Sequence, residues 1–397
     1  MAAFWNLITE YEAYALLAFF LAVFSTPVAM AIARRYGVMD YPDQYLKPHA
    51  KPTPYLGGMA ICLGWTAALV LALAQGTVRW QLLVPVLAGG LAICILGLVD
   101  DVRGVSPKAR LMVGSLIIGS VLLVTGAGQE LVDAVFLPLG IHIPRPLATT
   151  LSVLISLIIV LGACNSANLI DGLDGLCSGV TAIISLGFFL LASHLALWGH
   201  SPKGDPVRLV LSIAMFGAAM GFLPWNFNPA RVFMGDAGSV LLGYNCGMLI
   251  VLFAEKGMFR WVLGALMIFA LPAFDTALAM FRRWRSGRSI FEGDRSHFYD
   301  QLVQRGLSVR QTVLISYGLT VFYGAAGLLV TWGYETGPVV RTRYCAPLYI
   351  LIALLTAWGA HVAGLTNPEE RRPAPAHTPT KSPDAGTGPG RDADAGS

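Results

Sequence analysis

Apolar residues fall in long runs separated by short polar connections. A helix needs ~20 apolar residues to cross the hydrocarbon core of a bilayer. The pattern predicts eleven such stretches, near 14–33, 56–75, 81–99, 109–126, 147–164, 178–198, 207–223, 237–254, 259–281, 312–332 and 345–364. The fold class that follows is an all-α integral membrane protein, a polytopic bundle of about eleven transmembrane helices. The first stretch is full length and follows Glu10 and Glu12 without Lys or Arg, which predicts a retained helix rather than a cleavable signal peptide. The longest polar connection, Arg282 to Arg310, mixes arginines with aromatics. It reads either as an amphipathic helix on the membrane surface or as a lid that supplies cations to a phosphorylated substrate. From Asn367 to Ser397 there is no large apolar residue, so a disordered tail (367–397) is expected behind one membrane domain (1–366). No internal repeat suggests the inverted halves common among transporters.

Composition agrees with a membrane setting: 55% of the 397 residues are hydrophobic and 13% charged, against about 25% charged in a soluble domain. Nineteen of the 27 Lys and Arg residues lie on one side of the eleven-span arrangement. By the positive-inside bias that side is cytoplasmic, with the N-terminus outside and the C-terminus inside. The net charge of +4 reflects this distribution and makes no case for nucleic acid. Six cysteines without CxxC spacing read as small buried hydrophobes rather than metal ligands or disulfides. Many of the 43 glycines lie inside spans, where small residues let helices pack closely.

The chemistry is in the acidic residues, which sit at span ends on the cytoplasmic side. Asp100 and Asp101 close the third span, Asp171 and Asp174 lie between the fifth and sixth, and Asp236 lies between the seventh and eighth. Asp171, Asp174 and Asp236 could be helix caps. Asp100 and Asp101 fit no cap, because at a helix C-terminus they meet the negative end of the dipole and each other. They call for a cation, supplied by Arg103, Lys108, Arg110 or a metal ion. Asn165, Asn168 and Asp236 add oxygen ligands of the kind Mg²⁺ takes. Glycines in GLVDD, IDGLDGL and FMGDAGS would let backbone N–H groups approach an anion. An acidic metal site beside basic loops is what phosphoryl transfer uses. A transporter would place its charges near the bilayer midplane instead.

In order, the motifs are KPTPYLGG (51–58), GLVDDVRGVSPKAR (97–110), NSANLIDGLDGL (165–176), FNPARVFMGDAGS (227–239) and RRWRSGRSIFEGDRSH (282–297). On these residues the chain resembles the polyprenyl-phosphate N-acetylhexosamine-1-phosphate transferases. That family includes enzymes starting O-antigen, enterobacterial common antigen and teichoic acid linkage synthesis, and the phospho-MurNAc-pentapeptide translocase. The resemblance runs from about Arg34 to Ser308. It implies a bacterial inner-membrane enzyme with a cytoplasmic active-site cleft. Such an enzyme transfers a HexNAc-1-phosphate, GlcNAc-1-phosphate foremost, from a UDP-HexNAc to polyprenyl (undecaprenyl) phosphate within the membrane lipid. Mg²⁺ is the implied cofactor, with Mn²⁺ able to substitute, and a homodimer is compatible with the resemblance.

Carried over by position, Asn168 and Asp236 resemble the metal ligands. Asp100, Asp101, Asp171, Asp174 and Asp236 would surround the metal, the pyrophosphate and the attacking phosphate. Lys51, Lys108, Arg110, Asn165, Arg295 and His297 resemble substrate-binding positions. Asp275, inside the ninth span and about two turns from Arg282, is expected to be functional or paired. Three departures stand out. Where many relatives read HxHH, this chain has His297, Phe298, Tyr299 and Asp300, while Tyr55 replaces a usual arginine and Ile290 a usual proline. The histidine-rich signature of the peptidoglycan translocase is missing, which lowers the reading of a UDP-MurNAc-pentapeptide donor.

Overall fold

The apolar stretches become helices that bury their small residues against one another. The computed structural model describes residues 2–41, 52–137, 140–198, 205–255, 258–287, 297–331, 333–334, 337–338 and 342–364. In chain order the elements begin α1 (Ala2–Tyr36), β1 (Met39–Asp40), β2 (Thr53–Pro54), α2 (Gly57–Ala74), α3 (Trp80–Arg103), α4 (Pro107–Thr125) and α5 (Leu131–Phe136). They continue α6 (Arg145–Leu169), α7 (Leu176–Trp198), α8 (Asp205–Asn226), α9 (Gly235–Leu252), α10 (Phe259–Ile268) and α11 (Ala270–Arg285). The last are α12 (Phe298–Gln304), α13 (Val309–Thr331), β3 (Gly333–Tyr334), β4 (Gly337–Pro338) and α14 (Thr342–Val362).

Among the described residues, nine helices are long and apolar enough to cross a membrane. The α10 and α11 pair, bent by 71°, is a broken span or a re-entrant loop, and the apolar part of α14, Pro347–Val362, is shorter. The all-α polytopic bundle is therefore present, with two features that hydropathy did not announce: the break in the ninth stretch and the short helix α5. The tail 367–397 lies outside the described residues.

The axis of the bundle is α9, in which every residue except Asp236 is buried. Helices α2, α3, α6 and α8 pack around it. Lipid tails are as apolar as leucine, so transmembrane helices associate through close packing rather than hydrophobic drive, and glycine supplies the approach. A Cβ on Gly58 of α2 would lie 2.2 Å from the backbone nitrogen of Gly238. One on Gly243 would lie 2.4 Å from the Ala163 carbonyl oxygen of α6. At its far end α9 is held by Arg208 of α8, a fully buried guanidinium whose Nε donates to the Leu252 carbonyl at 2.9 Å and which pairs with Glu255. A cation there complements the negative end of the helix dipole.

Proline inside α1 is accommodated in a similar way. Pro27 has no N–H, so the carbonyl of Val23, four residues earlier, loses its helical donor. The indole N–H of Trp225 on α8 donates to that carbonyl at 3.2 Å, and α1 runs along α8. All six cysteines are buried and form no disulfide among the described residues, as the spacing implied.

The Gly58–Gly238 crossing gives a direct test of this packing. Gly58→Val forces side-chain atoms into the α9 backbone and is expected to destabilise the protein by about 1–3 kcal/mol, the cost of overpacking a close-packed interior. Thermal unfolding of the purified protein in detergent measures it, and Gly119→Val, where a Cβ meets nothing within 4 Å, is the control expected to stay near wild type.

Candidate functional site

Chain turns at the ends of α3, α4, α6 and α9 bring the acids together at one end of the bundle. Helix α3 ends at Gly104, in a positive-φ conformation (68°), and α4 starts two residues later with Ser106 as N-cap, its hydroxyl accepting from the Ala109 N–H, and Pro107 in the first turn. This sharp turn points Arg110 back at the end of α3. Its guanidinium donates to Asp100 at 2.9 Å and to Asp236 at 2.7 Å, and Asp100 also accepts the Val105 N–H at 2.6 Å. The cation that Asp100 called for is thus Arg110.

Asp101 finds a different positive partner. Its carboxylate accepts the backbone N–H groups of Asp236 at 2.7 Å and Ala237 at 3.0 Å, so it caps the N-terminus of α9 from 135 residues away. Gly235, at φ 69°, makes room, since a Cβ there would lie 2.6 Å from an Asp101 oxygen. The cap reading for Asp236 is thereby corrected. Its carboxylate faces outward from the helix, bonded to Arg110 and to the Nδ2 of Asn168 at 2.7 Å, and the same Nδ2 reaches the Ser239 hydroxyl at 3.1 Å.

The turn between α6 and α7 is tied at both ends. Tyr299 donates its hydroxyl to the Leu169 carbonyl at 2.7 Å, Tyr317 donates to the Gly175 carbonyl at 2.6 Å, and Asn226 accepts from the Gly175 N–H at 3.1 Å. Asp174 belongs to this scaffolding: it accepts from Asn228 Nδ2 and from the Ala230 N–H, both at 2.9 Å, rather than capping α7. Between the ties, the Asp171 carboxylate and the amide oxygen of Asn168 accept no hydrogen bond among the described residues. Burial, and then the charges of Asp236, Asp101 and Asp174, push the Asp171 carboxyl well above the usual carboxylate range.

A polar cavity of about 500 Å³ opens here, lined by Tyr36 through Asp40, Tyr55, Asp100, Asp101, Val102 and Asp236. The antiparallel β1–β2 ribbon forms its rim, fastened to the start of α9 by the Phe233 N–H to Pro54 carbonyl bond at 2.9 Å. Burial and the surrounding aspartates raise the Tyr55 phenol, so it stays neutral where an arginine was usual. Asp40 and the ties from Asn226, Asn228, Tyr299 and Tyr317 were not singled out from the sequence as site residues. The asparagines lie in or beside the FNPAR motif, which was the available signal; nothing local marks the tyrosines.

The remaining expected residues divide. Lys108 and Asn165 are exposed, on the first turn of α4 and one turn before Asn168, and neither contacts the acids among the described residues. Lys51 and Arg295 lie outside the described residues. His297 is buried, with Nδ1 2.6 Å from Asp275, whose other oxygen accepts the Phe298 N–H at 2.9 Å. The partner found for Asp275 is therefore His297. Helix α12 starts there with Phe298 and Tyr299 buried, so this part of the 282–310 connection packs into the bundle instead of lying free on a surface.

Among the described residues, no three His, Cys, Asp or Glu side chains form a ready-made metal cage. The donor set nevertheless fits Mg²⁺, which is held through one or two carboxylates with substrate phosphates and waters completing the shell. A half-buried carboxylate and an amide oxygen that accept no hydrogen bond among the described residues are suitable groups.

Comparison with known proteins points the same way. The model of the family described as glycosyl transferase family 4 matches residues 83–254. A decaprenyl-phosphate N-acetylglucosaminephosphotransferase of Mycolicibacterium smegmatis is 32% identical, over 84% of this chain and 86% of the relative. A phospho-N-acetylmuramoyl-pentapeptide-transferase of Desulforudis audaxviator is 31% identical over 73% of this chain and 87% of its own. An undecaprenyl-phosphate alpha-N-acetylglucosaminyl 1-phosphate transferase of Yersinia pestis is 28% identical over 77% and 81%.

The isolated Asp171 carboxylate predicts an unusual stability profile. A carboxyl whose folded-state pKa is raised binds its proton more tightly in the folded protein. Its penalty is absent below the unfolded pKa of ~4 and grows as pH rises towards the folded value. In the presence of a chelator, Asp171→Asn should therefore melt higher than wild type at pH 8, with the difference shrinking towards pH 4. Thermal scans of both proteins across that range check it.

Proposed function

The chain belongs to glycosyl transferase family 4, and from that membership we propose that it moves N-acetylglucosamine 1-phosphate from a UDP-sugar to a polyprenyl phosphate, releasing UMP. The observation that carries the reading is that Asp100, Asp101 and Asp236 line one polar cavity, with Arg110 bonded to Asp100 and Asp236, Asn168 bonded to Asp236, and the Asp171 carboxyl raised by burial and by the nearby charges of Asp236 and Asp101. An oxygen of the acceptor phosphate forms a bond to the β-phosphorus of the donor, and the bond from that phosphorus to the oxygen bridging the α-phosphate breaks. A phosphate monoester has its second pKa near ~6, so the nucleophile is already a dianion at neutral pH and no general base is required. Asp236, Asn168 and Asp171 would hold Mg²⁺, which when bound neutralises charge on the diphosphate. Arg110 offers a second positive group, and Asp101 holds the α9 N-terminus so that Asp236 keeps its direction.

An apolar groove of about 430 Å³ between α11, α13 and α14, with Asp275 and Phe298 at its wall, supports a path for a lipid chain. The UDP-sugar enters from the cytoplasm, so the acidic end of the bundle faces that side, in a bacterial plasma membrane.

Three measurements test this. Purified protein with undecaprenyl phosphate and a panel of UDP-HexNAc donors should release UMP, most with UDP-GlcNAc; turnover only with UDP-MurNAc-pentapeptide would move the protein to the peptidoglycan branch. Excess EDTA should stop turnover, with Mg²⁺ or Mn²⁺ restoring it, and Asp236→Asn should lose at least ~10²-fold in kcat, the scale of removing one preorganised electrostatic group. In a cysteine-free background, Ser106→Cys should resist an impermeant thiol reagent applied to intact cells while Arg79→Cys, at the opposite end of α3, is labelled.

A further inference from the structure

Tyr299 links α12 to the end of α6 by a contact that a shorter side chain could not make. Helix α12 is pinned to α11 by two bonds to Asp275, from His297 at 2.6 Å and from the Phe298 N–H at 2.9 Å. The His297 and Tyr299 rings stack with centroids 5.4 Å apart and planes 6° from parallel. From this anchored position the buried Tyr299 side chain crosses to the end of α6, where its hydroxyl donates to the Leu169 carbonyl at 2.7 Å. The last carbonyls of a helix have no donor within the helix, so this bond fixes the direction in which α6 ends. Leu169 follows Asn168 directly and precedes Asp171 by two residues. The ring also lies against Gly172, where a Cβ would meet the Tyr299 oxygen at 2.3 Å. The Asn168 amide oxygen and the Asp171 carboxylate accept no hydrogen bond among the described residues, and the Tyr299 contacts with Leu169 and Gly172 bracket Asp171 and fix the end of the helix that carries Asn168.

We propose that Tyr299 is a positioning residue for the transfer reaction, its hydroxyl holding the α6 terminus so that the amide oxygen of Asn168 and the carboxylate of Asp171 point at one divalent cation. This rests on the function proposed above. An imidazole is shorter than a phenol, so histidine at 299 would leave the Leu169 carbonyl unreached. The residue is thus matched to this chain's own turn.

The test uses full-length protein and two variants that perturb the contact from opposite sides. Tyr299→Phe removes only the hydroxyl, and Gly172→Ala pushes the hydroxyl away without touching the tyrosine. Each should lower kcat by ~10-fold or more with little change in the KM for the UDP-sugar, and weaken binding of Mn²⁺ alone, read by electron paramagnetic resonance on the nucleotide-free protein, by ~10-fold, the scale seen when a group supporting a ligand is lost. Melting temperature should fall only slightly. Tyr299→His should behave like Tyr299→Phe. Wild-type kcat and Mn²⁺ affinity in both variants overturn the proposal, as does a loss of kcat that merely tracks a lower folded fraction with Mn²⁺ affinity unchanged. If the wild-type protein releases no UMP from any donor while Mn²⁺ binding still weakens in the variants, the positioning role stands and the reaction assignment falls.

Discussion

The contact between the Asp101 carboxylate and the first N–H groups of α9 is the one on which the site depends. The first N–H groups of a helix have no partner within the helix, and each one buried without an acceptor is costly. Asp101 satisfies two of them and places a negative charge at the positive end of the dipole. The same contact fixes the end of α3 against the start of α9, which sets the distance from Asp100 to Asp236 that Arg110 spans. With Arg208 at the other end, the central helix is held by an anion at its start and a cation at its finish. Its position along its own axis is settled by polar contacts, while its lateral position is settled by glycine packing.

Charge at the site is arranged unevenly. Asp100 and Asp236 share one guanidinium, Asp101 has a helix terminus, and Asp174 has an amide and a backbone N–H. Among the described residues Asp171 has no such partner, and burial with the neighbouring acids raises its carboxyl. A site whose acids were all satisfied internally would have little affinity left for a metal ion, because binding would have to break existing bonds. A carboxylate held in that way lowers the stability of the folded protein at neutral pH, and under the proposed function a divalent cation would relieve it, the usual tension between stability and activity.

Much of this was legible in the sequence. Helices are local, and a run such as 237–254 announces itself; the five aspartates were recognisable because charges at span ends in a chain with so few charges are costly unless used. What was not legible is the partner of each acid. Asp101 and the α9 backbone are separated by 135 residues, Asp275 and His297 by 22, and Tyr299 and Leu169 by 130. No local rule connects such residues, so a cap at the start of α9 was sought in Asp236 when it came from Asp101. The break at Phe269 was missed for a different reason: 259–281 is continuous in hydropathy, and the local signal was Pro272, which in the first turn of α11 has no N–H for the Ile268 carbonyl at the end of α10.

That bend has a consequence for how the protein meets its lipid. A helix rises ~1.5 Å per residue, so α10, with 10 residues, and α11, with 16, are each shorter than the ~30 Å hydrocarbon layer. Joined at their bend they form either a broken span or a re-entrant loop. A straight rod can answer a change in bilayer thickness only by tilting as a whole, whereas two rods meeting at 71° change their projected height by opening or closing the joint. In this pair Phe269 is the joint at which a change of thickness could be taken up, whereas α9 is fastened at both ends.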